Sequence, residues 1–147
     1  MSPFGTAVLL AVLALTALAA WWLRARNGAV RTTVPEDDDG GPRTVLEGLG
    51  VRPGEAELTV VQFSTAFCGP CRTTKARLEH LRTSRPRLAY VHVDAESHLD
   101  EVRALDVRRT PTLFYLDRTG RLLGRSSGAP RAEELTALVE AHTGALS

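Results

Sequence analysis

The two cysteines of the chain, Cys68 and Cys71, lie in the stretch "STAFCGPCRTTK", residues 64–75. Two thiols separated by two residues can exchange with disulfides, supply half of a metal site, or staple the backbone. Structural zinc takes four ligands, usually from two such pairs. Here no second CxxC exists, and the four histidines are scattered at positions 80, 92, 98 and 142. Covalent haem attachment needs His directly after the second cysteine, where this chain has Arg72. A purely structural bridge over so short a loop constrains the unfolded chain little, because stabilisation grows with loop length. Exchange chemistry is the reading that remains, with no metal or cofactor called for. It requires one thiol ionised and the other within reach.

The neighbouring elements supply those conditions. "LTVVQFS" (58–64) is a short apolar, β-branched run and reads as a buried strand. Residues 69–84 read as a helix, with Thr74, Leu78 and Leu81 at i, i+4, i+7. Pro70 fits its first turn, where a missing N–H has no intrahelical partner anyway. Cys68 thus falls at the carboxyl end of a strand and the start of a helix, where open α/β sheets build their sites. Unpaired backbone N–H groups and the helix dipole there favour thiolate and lower the thiol pKa from about 8.5. Cys71, one turn further in, is expected to be more buried and in reach of the first sulfur. The pattern predicts attack by Cys68 on a substrate disulfide, then attack by Cys71 on Cys68. Gly69 leaves the backbone approachable, and Pro70 stiffens the short ring.

Further along, "LAYVHVD" (88–94) predicts a second buried strand. "SHLDEVRALD" predicts a helix with Ser97 as N-cap, Asp100 at N3, and an apolar stripe of Leu99, Val102 and Leu105. "TLFYLD" (112–117) predicts a third strand; the turn "RTG" and "RLLGRSS" (121–127) add a fourth in a hairpin. A last helix is expected over about 130–143, with Pro130 in its first turn and Leu135, Leu138, Val139 and His142 on its buried face. "TVLEGLGV" (44–51) is a candidate extra strand. The alternation predicts an α/β fold with helices on both faces of a mixed sheet. The first three strands are expected to be parallel and the hairpin to form an antiparallel edge. Pro111, after Thr110 and directly before a strand, reads either as an ordinary strand-entry proline or as a cis proline that holds Thr110 near the cysteines.

The rest of the chain is an appendage. Residues 4–23, "FGTAVLLAVLALTALAAWWL", carry no charge and span about 30 Å as a helix, the thickness of a bilayer core. Trp21 and Trp22 close the run, and Arg24 and Arg26 follow. No Lys or Arg precedes it, so a retained single-pass anchor is expected rather than a cleaved signal, despite "ALA" at 17–19. The positive-inside rule puts the arginine flank, and the domain after it, in the cytoplasm, with the extracytoplasmic side as the alternative. Residues 24–43 read as a flexible linker with an acidic, turn-rich "PEDDDGGP". This divides the chain into an anchor (1–23), a linker (24–43) and a domain (44–147). A net charge of +1 gives no reason to propose nucleic acid as a partner.

"FCGPCR", "VHVD" ending at Asp94, "RRTPTL" around Pro111 and the "DRTGRLLGRSSGAP" hairpin with a closing helix come in an order and at a spacing that resemble the thioredoxin family. The resemblance covers about residues 44–147. It implies a thioredoxin-like fold, Cys68 as nucleophile, Cys71 as resolving cysteine and Pro111 as a cis proline beside them. It places Phe67, Gly69, Pro70, Thr110 and Gly128 at the substrate groove. It implies disulfide-containing protein substrates and an upstream dithiol electron donor, and CGPC resembles the family's reducing members. The alternative is a thioredoxin-like binding module whose cysteines only tune a contact at the membrane. Gln62 stands where the family typically has a buried Asp, and Tyr90 where it has Lys. Ser64 and Phe67 replace tryptophans that commonly flank the site, and Ala76 replaces a helix proline, so a straighter helix is expected.

Overall fold

The computed structural model describes residues 3–26, 30–31 and 41–144. Its elements are α1 (Pro3–Arg26), β1 (Val30–Arg31), α2 (Pro42–Gly48), β2 (Leu58–Ser64), α3 (Gly69–Ser84), β3 (Leu88–Asp94), α4 (Leu99–Ala104), β4 (Thr112–Asp117), β5 (Leu122–Ser127) and α5 (Ala132–Thr143). One sheet runs in the order β1-β5-β4-β2-β3.

Every residue of β2 is buried, because the strand lies inside the sheet with a core on each face. Side chains alternate between faces along a strand. Leu58 and Val60 therefore pack with Leu78 and Leu81 of α3 and Leu135 and Val139 of α5. Val61 and Phe63 pack on the opposite face with Leu46 of α2 and with Leu105 and Val107 around the end of α4. The apolar run that marked this strand in the sequence is two half-faces read as one line.

The direction of β4 departs from expectation. β3 runs parallel to β2, but β4 pairs antiparallel to it. Crossover length explains the difference. Sixteen residues of α3 rise about 24 Å, enough to carry the chain back along a seven-residue strand of about 23 Å. The six residues of α4 rise only about 9 Å. The chain therefore re-enters the sheet from the end at which β3 left it. The hairpin β4–β5 is antiparallel as expected but forms no edge, because β1 flanks β5; the edges are β1 and β3, and β3 is partly exposed where a buried strand was expected.

Three other expectations change. Residues 44–51 do not form a strand; most of them lie in α2, which inserts Leu46 into the core. The position before the helix that follows β3 is His98, which makes no capping side-chain bond, while Ser97 donates its hydroxyl to Asp94 Oδ2, and Leu99 is exposed instead of facing inward. At the other end, α5 starts at Ala132 after Pro130, and its inward stripe is Leu135, Val139 and Thr143. His142 is exposed. Thr143 suits the buried position because its hydroxyl donates to Val139 O at 2.7 Å. Of the expected linker, most lies outside the described residues, but Val30–Arg31 within it pairs with Ser126 and Arg125 of β5.

The two helices of one face are tied by Arg85, the C-cap of α3. The residue is 8% exposed, and its guanidinium donates to Gly144 O and Glu140 Oε1, both at 2.8 Å. Arg85→Ala removes both bonds and the packing of the stem, and should cost about 2 kcal/mol of unfolding free energy in a urea titration. A change under about 0.5 kcal/mol would place this contact among the inconsequential surface pairs.

Candidate active site

The sequence "STAFCGPC" turns from a strand that must stay in the core to a helix that must begin at its end. Thr65 O accepts from Cys68 N at 3.3 Å, which closes the turn. Cys68 is the N-cap of α3, and its Sγ accepts a hydrogen bond from Cys71 N at 3.2 Å. The two sulfurs are joined as a disulfide. Cys68 is partly open to solvent, whereas Cys71 is 3% exposed. A Cβ added at Gly69 would meet nothing within 4 Å, so the space before the disulfide is open. Phe67 beside it is 97% exposed, a large apolar surface left without cover.

The Thr110–Pro111 peptide is cis. Thr110 is brought to the cysteine turn through Thr65, the two hydroxyl oxygens lying 3.2 Å apart. Gly128 N donates to Pro111 O at 2.7 Å, so the glycine is tied to the proline loop. Gly128 has φ of 97°, a backbone state that side chains other than glycine rarely adopt. Pro70 is exposed at the first turn of α3, and its carbonyl accepts from Thr74 Oγ1 at 2.9 Å.

Beneath the disulfide, the two departures noted in the sequence form one unit. Gln62 is fully buried. Its Nε2 donates to Ser64 Oγ at 2.9 Å and to Cys71 O at 3.0 Å, and its Oε1 accepts from Tyr90 Oη at 3.1 Å. Burial, with help from the Glu79 carboxylate, pushes the Tyr90 phenol far above its usual range, so it stays a neutral donor. The amide is thus satisfied on both ends and links β2, β3 and α3.

A cavity of about 270 Å³ opens beside Cys71. Among its lining residues are Ser64, Arg72, Lys75, His92 and Asp94. His92 pairs in register with Gln62 on the neighbouring strand. Desolvation, then the nearby Lys75 charge, lowers its pKa below the ordinary 6.5. Asp94 is held below the usual carboxylate range, first by the Ser97 hydroxyl and then by Glu96 N. Residue spacing had marked neither the cavity nor Thr65; only the register of β2 against β3 and the pairing of loops reveal them.

A cystine at the N-terminus of a helix, at the carboxyl end of a central strand, with the Thr110–Pro111 loop reaching its turn through Thr65, defines an α/β protein with a paired CxxC. The thioredoxin family profile matches residues 51–141, more than half of the chain. The chain belongs to the thioredoxin family. It is 31% identical over 119 residues to Thioredoxin H2-1 of Oryza sativa subsp. japonica, covering 73% of this chain and 86% of that protein. It is 30% identical over 83 residues to a thioredoxin of Pongo abelii, covering 56% and 77%. Against three other plant thioredoxins it spans 60%, 47% and 56% of their lengths. Chlamydomonas reinhardtii thioredoxin f2 superposes with a TM-score of 0.58 at 24% identity, over 72% of this chain and 95% of that one, which shows the fold.

Proposed function

We propose that this chain is a thiol–disulfide oxidoreductase that reduces protein disulfides through a mixed disulfide on Cys68. The observation that carries this is the N-cap geometry: Cys71 N points at Cys68 Sγ at 3.2 Å while Cys71 itself is buried. On reduction the same N–H and the helix N-terminus stabilise a thiolate at Cys68. Cys68 Sγ attacks one sulfur of the substrate disulfide, whose other sulfur leaves as thiolate. Cys71 Sγ then attacks Cys68 Sγ, releases the second substrate thiol and closes the Cys68–Cys71 bond. An upstream dithiol donor restores the reduced pair. The open space before Gly69, the exposed Phe67 and Pro70, and the Thr110–Pro111 and Gly128 backbone supply the groove for an extended substrate.

The apolar helix Pro3–Ala25, none of it buried against the described chain, serves as a single-pass anchor. The helix then acts as anchor and the sheet with its packed helices, β1 included, as the catalytic domain, on the cytoplasmic side by the arginines that end the helix.

The reduction potential, measured by equilibrating the full chain in detergent against glutathione, tests the direction. A value near or below about −250 mV is expected for a reductase. A value near about −150 mV or above would make the protein an oxidant or isomerase and would overturn the reductase reading.

A further inference from the structure

The sheet register locates the anchor relative to the disulfide. β5 is antiparallel to β4, and β4 is antiparallel to β2, so β2 and β5 run the same way. Both finish at the end of the sheet that carries Cys68 and the Pro111–Gly128 contact. β1 is antiparallel to β5, with Val30 opposite Ser126 and Arg31 opposite Arg125. The chain therefore enters the sheet at its disulfide end and runs away from it. α1 ends at Arg26 and β1 begins at Val30, four Cα steps later and no more than about 14 Å away. The uncharged run of residues 4–23 measures about 30 Å as a helix and fills a bilayer core, which puts Arg24 and Arg26 at a membrane face.

We propose that the anchor holds the disulfide end of the domain against the bilayer surface. Its partners are then membrane proteins that carry a disulfide close to the point where their own chain leaves the bilayer. The exposed Phe67 lies at this near end, and the β4–β5 turn around Thr119 lies at the far end, about a strand length of 20 Å away. This rests on the membrane anchor and on the dithiol exchange given above, and it adds the partner class.

The test uses the full chain in lipid vesicles. Cys68→Ser and Cys71→Ser remove the native thiols, and one new cysteine at Phe67→Cys or at Thr119→Cys carries a fluorophore. Energy transfer to a headgroup-labelled lipid is expected to be stronger from position 67 than from 119. Insertion of a twenty-residue Gly/Ser segment between Arg26 and Val30 is expected to bring the two close together. Equal or reversed transfer in the uninserted chain overturns the proposal. A chain that washes off the vesicles overturns the anchor itself.

The cavity beside Cys71 carries a separate inference. Cys71 must lose its proton before it attacks Cys68, yet it is buried and the amide beneath it is no base: Gln62 is engaged by Tyr90, Ser64 and Cys71 O. Asp94 is a weak base in its hydrogen-bonded state. The geometry points to His92 as the acceptor of the Cys71 proton, through water in the cavity they share. His92 faces Lys75 and Glu79 from α3, Tyr90 and Asp94 from its own strand, and neutral Gln62 and Ser64 from β2. In the step, the Cys71 S–H proton passes through water to the imidazole. The Cys71 sulfur then bonds to Cys68 Sγ, the Cys68–substrate bond breaks, and the leaving thiolate regains a proton from the imidazolium.

Resolution of a preformed mixed disulfide is followed by stopped flow across pH. The native rate is expected to fall as pH drops through the lowered His92 pKa, because a protonated ring accepts nothing. His92→Asn should slow resolution at pH 7 about tenfold or more and abolish that inflection. The rate at which Cys68 attacks, and the melting temperature, should be unchanged. A variant with the native pH profile overturns the role of His92 while leaving the dithiol reading standing.

Discussion

Cys68→Ser is expected to abolish disulfide reduction, a loss on the order of a thousandfold or more, as for removal of any covalent nucleophile. Serine retains the N-cap, since its oxygen can accept from Cys71 N as the sulfur does, so the fold should survive. What it loses is the ionised sulfur, because a hydroxyl at neutral pH remains protonated. Cys71→Ser should behave differently. Cys68 is still present at the helix start and still attacks, but nothing resolves the adduct. A covalent complex should therefore accumulate, separable by non-reducing electrophoresis and released by an added dithiol. The pair of outcomes assigns the roles: exposure decides which sulfur meets the substrate, and burial decides which one closes the ring. Turnover retained in Cys68→Ser would sink the exchange mechanism. A partner held equally well with both cysteines replaced would favour the binding-module alternative.

The largest expected loss of stability is Phe63→Ala. Phe63 is fully buried on β2, and its ring meets that of Phe114 edge-on with centroids 5.8 Å apart. Truncation removes the ring, the aromatic pair and the filling between the sheet and the α2–α4 layer, at about 3–5 kcal/mol. A domain of this size has only about 5–15 kcal/mol in total. Urea unfolding of the full chain checks this. A cost below about 1 kcal/mol would mean that the cavity collapses and that β2 is less central than its burial indicates. Because β2 leads directly into the Cys68 turn, the variant should also lose activity at temperatures where the native chain keeps it.

Much of this was legible in the residues. The boundaries of β2, α3, β3 and β4 follow from runs and periods that are local properties of the chain. The placement of Cys68 at a strand–helix junction follows from the same runs, and so does the apolar length of α1. The pairing of a partly exposed cysteine with a buried one a turn further in needed only a helix start and a three-residue step. These features depend on neighbours within a turn or two, and local sequence contains them.

Other features depend on distance across the fold. The antiparallel entry of β4 comes from the reach of a six-residue helix against the length of the strand beside it. That residues 44–48 join a helix instead of a strand goes with the place Leu46 takes in the core. His142 and Thr143 exchange places because the helix stripe is aligned by Arg85 and the sheet, which a periodicity does not see. Gln62 and Tyr90 stood out in the sequence as two separate departures, and only strand register shows that each satisfies the other. The chain by itself determined the cysteine pair and the helix start that holds it, because both are set by bonds between near neighbours. The tertiary structure alone decided what surrounds that pair: the cis-proline loop tied to Gly128, the cavity with His92, and the end of the sheet at which β1 enters. Those follow from which strands lie side by side and in which direction, and that is a property of packing.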